Sequence, residues 1–137
     1  MDLLTNMNIS AGGMAAQSMR MRVASENIAN ADSVESAEDA GGPYRAKQIF
    51  FQSVLNRATG ATEVQVSGVS KDMTSPLKPV YQPGNKLANA QGYVMYPNVD
   101  STAENINMRE AQRSYEANMT ALVTAREMAT RTLDMLR

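Results

Sequence analysis

The chain has 137 residues, a formal net charge of −1 and neither cysteine nor histidine. Without these side chains it has no thiolate nucleophile, no imidazole base and none of the commonest zinc ligands, so no catalytic, cofactor-binding or metal site is expected. Its 13 basic and 14 acidic residues form no concentrated basic face for nucleic acid, and no stretch approaches the roughly 18 apolar residues that insertion into a membrane requires.

A long amphipathic helix is predicted over about residues 1–30. Its apolar positions recur alternately every three and four residues, which is typical of a coiled-coil seam. This stripe runs through Leu4, Met7, Ala11, Met14, Ser18, Met21, Ser25 and Ile28. The adjacent Gly12 and Gly13 weaken the helix, since each glycine costs about 1 kcal/mol relative to alanine in a helix interior. Polar residues from Asn27 to Asp32 favour its termination. Asp2, with no lysine or arginine before a short apolar run, predicts that no secretory signal peptide is cleaved.

The middle of the chain predicts a loop and then a small, mostly antiparallel β insert. The loop, Ala31 to Gly42, is acidic and carries no basic residue. Its carboxylates, Glu35, Glu38 and Asp39, lack the spacing and central glycine of a calcium loop, so a solvated loop is favoured over a calcium or catalytic carboxylate site. Strands are indicated by β-branched, aromatic or alternating residues at Tyr44–Leu55, Thr62–Val69, Leu77–Tyr81 and Gly92–Tyr96.

A second long helix is predicted from Ser101 to the end of the chain, with no glycine or proline to interrupt it. Ser101-Thr102-Ala103-Glu104 fits a capping box, in which the serine and glutamate side chains each satisfy a backbone N–H of the first turn. Its apolar positions average about 3.5 residues apart. They are Met108, Ala111, Tyr115, Met119, Leu122, Ala125, Ala129, Leu133 and Leu136.

These elements predict an α+β fold in which long N- and C-terminal helices form an elongated, coiled-coil-like pair with the β insert between them. The expected divisions are an N-terminal axial helix at 1–33, the insert at 34–98 and a C-terminal axial helix at 99–137. A helix of about 28 residues is roughly 40 Å long, which exceeds the diameter of a compact domain of this size. The insert is therefore too small to cover both stripes.

The sequence predicts that other chains complete the burial of these stripes. The predicted assembly interface is Leu4, Met7, Ala11, Met14, Met21, Ile28, Met108, Tyr115, Met119, Leu122, Ala129, Leu133 and Leu136. Its many methionines suit contact with several non-identical partners, because the unbranched side chain adapts to irregular neighbours. The alternative is that methionine fills a seam within one chain, where the two stripes partly bury each other.

Serine chemistry is the remaining catalytic possibility, and it would need a lysine base. The one Ser-x-x-Lys match is Ser75 to Lys78, where Pro76 and Pro79 oppose the helical turn that would bring the two side chains together. The sequence therefore predicts that the protein is not an enzyme.

Several motifs along nearly the whole chain resemble the bacterial flagellar basal-body rod proteins, most closely the FlgC-type family of proximal-rod subunits. They are Ser10, Gly13, Met14, Ala16 and Gln17; Asn27-Ile28-Ala29-Asn30-Ala31-Asp32; Gly42-Pro43-Tyr44-Arg45; Gly92-Tyr93-Val94-Met95-Tyr96-Pro97-Asn98-Val99; and Arg113-Ser114-Tyr115-Glu116-Ala117-Asn118. The family-motif residues singled out are Asn27, Ile28, Ala29, Asn30, Tyr93, Pro97 and Asn98.

This resemblance implies a structural subunit that polymerises with other rod proteins into the drive shaft that crosses the periplasm and transmits motor torque. It implies export by the flagellar type III apparatus, helical self-association, and contact with other rod subunits, the membrane-embedded ring and rod-base adaptor proteins. The competing interpretation is a soluble adaptor whose helices dimerise and whose β insert binds a ligand.

Overall fold

Two long helices and two small antiparallel sheets make up the fold in the computed structural model, which describes residues 3–34, 42–57 and 59–135. The elements in chain order are α1 (Leu3–Ala29), β1 (Lys47–Asn56), β2 (Ala61–Lys71), β3 (Lys78–Tyr81), β4 (Tyr93–Tyr96) and α2 (Ser101–Met135). This order confirms the predicted α+β class, and every predicted strand is present within three residues of its predicted ends. Neither described helix is apolar enough over a sufficient length to cross a bilayer.

Several residues that the sequence analysis singled out lie outside the described residues. The loop carboxylates Glu35, Glu38 and Asp39, together with Leu136 of the predicted interface, lie outside the described residues. The described part of α2 ends at Met135.

The helices α1 and α2 pack against each other in antiparallel fashion. Three pairs span the seam from one end to the other: Asn27 with Glu104, Arg20 with Glu110, and Gly13 with Asn118. In each pair the residue numbers total 130 or 131, so Leu3 lies opposite about residue 128. The last seven described residues of α2, Ala129 to Met135, therefore extend past the first described turn of α1.

Small side chains fill the seam between the helices. The buried positions are Thr5, Ala16, Val23, Ala24 and Asn27 on α1, and Ala111 and Ala125 on α2. On α1 this buried stripe lies roughly 160° around the helix from the predicted stripe, which is nearly the opposite face. Close approach of two helices selects small residues for the seam, so the larger apolar side chains of the predicted stripe lie outside it, where they are half-buried or exposed.

The predicted capping box at Ser101 is wrong, because the cap lies one residue earlier. Asp100 Oδ1 accepts hydrogen bonds from the backbone N–H groups of Thr102, at 2.9 Å, and Ala103, at 3.3 Å. Aspartate caps a helix as well as serine does. Glu104 does not reach back to the start of the helix, since its carboxylate accepts a hydrogen bond from Asn27.

The hairpin of β1 and β2 lies beside α1, with β2 as the strand next to the helix. Its register shifts between Phe50 and Phe51, where Ser67 of β2 has no partner and forms a bulge. A Cβ atom placed on Gly12 of α1 would lie 3.5 Å from the Val64 carbonyl oxygen. The backbone edge of β2 therefore faces the helix at this point.

Replacing each of the adjacent glycines of α1 by alanine is expected to affect the free energy of unfolding differently. At Gly12 the added Cβ makes an ordinary contact, so we expect Gly12→Ala to raise the free energy of unfolding by about 0.5–1 kcal/mol through helix propensity. At Gly13 a Cβ would come within 2.9 Å of Asn118 Nδ2. We expect Gly13→Ala to lose that gain, because Asn118 must move and weaken its 3.0 Å bond to the Ser114 carbonyl.

Urea unfolding followed by circular dichroism measures both variants, with Asn118→Ala as the background that removes the obstruction. In that background Gly13→Ala should regain the stabilisation seen at Gly12. Equal stabilisation by the two glycine substitutions in the native background would contradict the close approach at Gly13.

Candidate assembly surface

Asn27 lies at the point where α1, β1 and α2 meet, and it is fully buried. Its Nδ2 donates to the Lys47 carbonyl at 2.9 Å and to Glu104 Oε1 at 3.1 Å. Its Oδ1 accepts from the Lys47 N–H and the Tyr44 hydroxyl, both at 2.8 Å. All the hydrogen-bonding capacity of the amide is used, so one side chain ties the end of α1 to the starts of β1 and α2.

The amide of Asn27 binds Lys47 as a neighbouring strand would, by pairing with both its N–H and its C=O. A second asparagine, Asn98, acts on the other side of the hairpin base. Its Oδ1 accepts from the Ala46 N–H at 2.8 Å, and its Nδ2 donates to the Asp72 carbonyl at 3.3 Å. Two asparagines therefore hold the base of the β1–β2 hairpin from both sides.

The pKa shifts of four groups around this junction all favour the ionisation state that each group normally has at neutral pH. Lys47 Nζ lies 2.7 Å from Glu26 Oε2. This hydrogen bond lowers the pKa of Glu26 and raises the pKa of Lys47, while burial raises the pKa of the Tyr44 hydroxyl. At Asp72, the hydrogen bond from the Ser75 side chain and those from the backbone N–H groups of Ser75 and Thr74 lower the pKa. These four groups are therefore expected to keep their charge states when the pH varies around 7.

The other motif residues have structural roles of different kinds. Asn30, directly after α1, donates from Nδ2 to the Glu26 carbonyl in the last turn of the helix at 2.8 Å. Ile28 is half-buried and Ala29 is exposed. Pro97, directly after β4, is fully buried. In the second sheet the rings of Tyr93 and Tyr81 pack edge to face with 5.3 Å between their centres.

The described members of the predicted interface are all at least partly exposed. The exposed members are Leu4, Ala11, Met119 and Leu133. Leu133, which lies past the first described turn of α1, is 68% exposed. The half-buried members are Met7, Met14, Met21, Ile28, Met108, Tyr115, Leu122 and Ala129. Near the start of α1 the two helices also enclose a groove of about 480 Å³, lined by Leu3, Ile9, Ala125 and Met128 among others. Apolar surface thus follows both helices along their length.

Sequence analysis missed the apolar surface of the insert. Phe50, Phe51 and Leu55 of β1 are all exposed, with Leu55 at 58%. On β3 and β4, Tyr81 and Met95 are exposed as well. A signal for the first group was available, because β1 carries no charged side chain between Gln48 and Asn56. A strand with one solvated face normally alternates polar residues with apolar ones.

The described residues contain no cluster of three acidic side chains that could hold a metal ion. The fold combines a junction held by hydrogen bonds with exposed apolar surface on the helices and the hairpin. This combination suits binding to other proteins, because large exposed apolar surfaces mark interaction sites.

Comparison with known proteins gives matches at both ends of the chain and along its length. The family described as "Flagella basal body rod protein" matches residues 7–35, and "Flagellar basal body rod FlgEFG protein C-terminal" matches residues 90–135. The "Flagellar basal-body rod protein FlgC" of Salmonella typhimurium is 46% identical over 137 residues, with 98% of each chain covered. The protein of the same name from Yersinia enterocolitica is 42% identical, with 98% of each chain covered. The one from Agrobacterium fabrum is 39% identical, with 94% of this chain and 91% of the relative covered.

Proposed function

The chain belongs to the FlgC family of flagellar basal-body rod proteins, and on that premise we propose that it is a structural subunit of the flagellar rod. The observation that carries this function is the apolar surface that follows the helical pair and continues on α2 past the first described turn of α1. Leu133 lies on that extension and is largely exposed. A single chain leaves this surface in water, whereas a polymer can bury it.

In the proposed assembly, the terminal helices at 1–33 and 99–137 form the axial part, and the insert at 34–98 lies outward against neighbouring subunits. The predicted interface residues of both helices contact other subunits through heterologous, repeating contacts. Such contacts generate open helical assemblies when the rotation between subunits does not close. The ordered junction at Asn27 fixes the angle between the helices and the hairpin, so that each subunit presents the same surface to its neighbours.

We propose that the partners are other rod subunits, the membrane-embedded ring and rod-base adaptor proteins, and that the rod crosses the periplasm. The subunit reaches this location through the flagellar type III apparatus without cleavage of a signal peptide. Two features support this route. Gly12 and Gly13 weaken α1 as an isolated helix, which helps the chain to pass unfolded. The chain has no cysteine, so it cannot become disulfide-linked in an oxidising compartment.

The adaptor interpretation has less support, because the relatives named above match this chain over at least 91% of both sequences and carry the name of a rod protein. We propose no catalytic activity, since the chain offers neither thiol nor imidazole and the family is a structural one.

Deletion and localisation in the source bacterium test the function. A deletion strain is expected to lose swimming in soft agar and regain it with the complementing gene, and epitope-tagged protein should copurify with basal bodies. When type III export is blocked, the protein should still be synthesised but be absent from basal bodies. Normal swimming of the deletion strain, or a soluble cytoplasmic dimer never found in basal bodies, would support the adaptor instead.

A further inference from the structure

The outer edge of β1 is an unpaired strand edge, and the bonds of Asn27 show which residues line it. The N–H and C=O of Lys47 both bind Asn27 and so point away from β2. Along a strand, the N–H and C=O groups of successive residues point alternately to one side and to the other. The N–H and C=O groups of Ile49, Phe51, Ser53 and Leu55 therefore also point outward, and no other hydrogen bond of the described residues reaches them.

The opposite edge of the hairpin is not available in the same way. The Val64 carbonyl, on the outer edge of β2, points toward Gly12 of α1. The hairpin thus has one covered edge and one open edge. A two-stranded sheet is marginal without a third strand or a packing surface, so the open edge is a site for an additional strand.

Beyond Lys47, nothing in the sequence of β1 protects this edge. Natural edge strands usually carry charged residues, proline or a bulge that prevent pairing with another chain. Between Gln48 and Asn56, β1 has no charged residue and no proline, and the bulge of this hairpin is on β2. Phe51 and Leu55 add exposed apolar surface along the same strand.

From this geometry we propose that β1 pairs antiparallel with β1 of a second copy of the chain, around a two-fold axis at Gln52. The open positions determine the register, because the edge is closed at Lys47 by Asn27 and ends where the turn begins at Arg57. The free residues from Ile49 to Leu55 are symmetric about Gln52. Ile49 then pairs with Leu55, and Phe51 with Ser53, of the second copy. Two hairpins become one four-stranded sheet.

Charges at the ends of this ladder also favour the pairing. In this register Arg57 of the second copy lies at the Lys47 end, where β1, α1 and α2 enclose a groove of about 280 Å³. Lys47 is already paired with Glu26. Glu104 also lines the groove and forms no ion pair with any described residue. Its carboxylate therefore offers a partner to the incoming guanidinium.

The pairing stops at two copies, because each hairpin has one open edge and both copies use the same residues in the contact. A two-fold contact cannot be repeated along a polar filament. The pair therefore forms in the free protein, where it covers the strand edge before assembly. This inference rests on the fold of β1 and not on the proposed rod function, so its failure would leave that function standing.

Cysteine cross-linking of the full chain tests the register directly, because the native sequence has no cysteine. In the proposed pair, Gln52 lies opposite Gln52 at a non-hydrogen-bonded position, where Cα atoms are about 4.5 Å apart and a disulfide can form. Gln52→Cys should give a disulfide-linked dimer under mild oxidation. The matched control, Thr62→Cys on the same hairpin but on β2, should stay monomeric on a non-reducing gel.

Light scattering supplies an independent measurement without cross-linking. The native protein should have twice the monomer mass at high concentration, and Gln52→Lys should return it to the monomer mass, because two like charges then lie directly opposite each other. Thr62→Lys should keep the doubled mass. A native protein that is monomeric at every concentration, or equal cross-linking of the two cysteine variants, would overturn the proposal.

Discussion

Asn27→Ala is expected to lower the free energy of unfolding by about 3 kcal/mol or more, the largest effect of any single substitution at the junction. The substitution removes an amide that makes four hydrogen bonds in a fully buried position. It leaves the N–H and C=O of Lys47 and the hydroxyl of Tyr44 without partners, and each buried polar group left unsatisfied costs about 1–3 kcal/mol. Urea unfolding of the purified variant measures the loss.

Asn30→Ala is the matched control, because it removes the same side chain from the same end of α1. Asn30 is only half-buried and bonds to Glu26 one turn away, so we expect a loss below about 1 kcal/mol. Similar losses for the two variants would contradict a special role for the junction. Asn27→Asp distinguishes geometry from charge. It keeps the acceptor oxygen but puts a second carboxylate beside Glu104, so it should also be strongly destabilising.

Leu133→Asp is expected to abolish swimming while leaving the free subunit folded. Leu133 lies past the first described turn of α1 and is 68% exposed, so a charge there costs the isolated chain little, within about 0.5 kcal/mol. In the proposed rod the same position is covered by another subunit, and a buried, unpaired carboxylate is strongly unfavourable. Soft-agar motility and the amount of protein in basal bodies measure the effect.

Thr132→Asp introduces the same charge at the neighbouring exposed position, outside the predicted stripe, and should permit swimming. Leu122→Asp is also expected to abolish motility, but Leu122 is half-buried, so the variant must first be shown to fold. Normal swimming with Leu133→Asp would remove this residue, and the extension of α2 that carries it, from the interface.

The parts of the fold that depend on local patterns could be predicted from the sequence. Helix periodicity, turn residues and strand composition located all six elements, because each is determined by neighbours a few residues away. The cap of α2 was wrongly assigned to Ser101, since Asp100 has the same chemistry one position earlier. Local spacing alone does not separate two such candidates.

The features that depend on contacts between distant segments could not be predicted in this way. Asn27 was interpreted as a helix-terminating residue, yet its partners Lys47 and Glu104 lie 20 and 77 residues further along the chain. The buried stripe of α1 also differs from the predicted one. Periodicity identifies large apolar residues, whereas the seam selects Ala16 and other small ones that allow close packing.

The seven-residue extension of α2 makes the two tips of the molecule unequal in rigidity. At one tip, hydrogen bonds of Asn27 fasten both helices to the hairpin. At the other, Ala129 to Met135 project about 10 Å with no described residue of α1 opposite them. Thermal fraying is therefore expected to start at this tip. Amide hydrogens are expected to exchange slowest beside Asn27 and progressively faster toward Met135, so the subunit is stiff at one extremity and adaptable at the other.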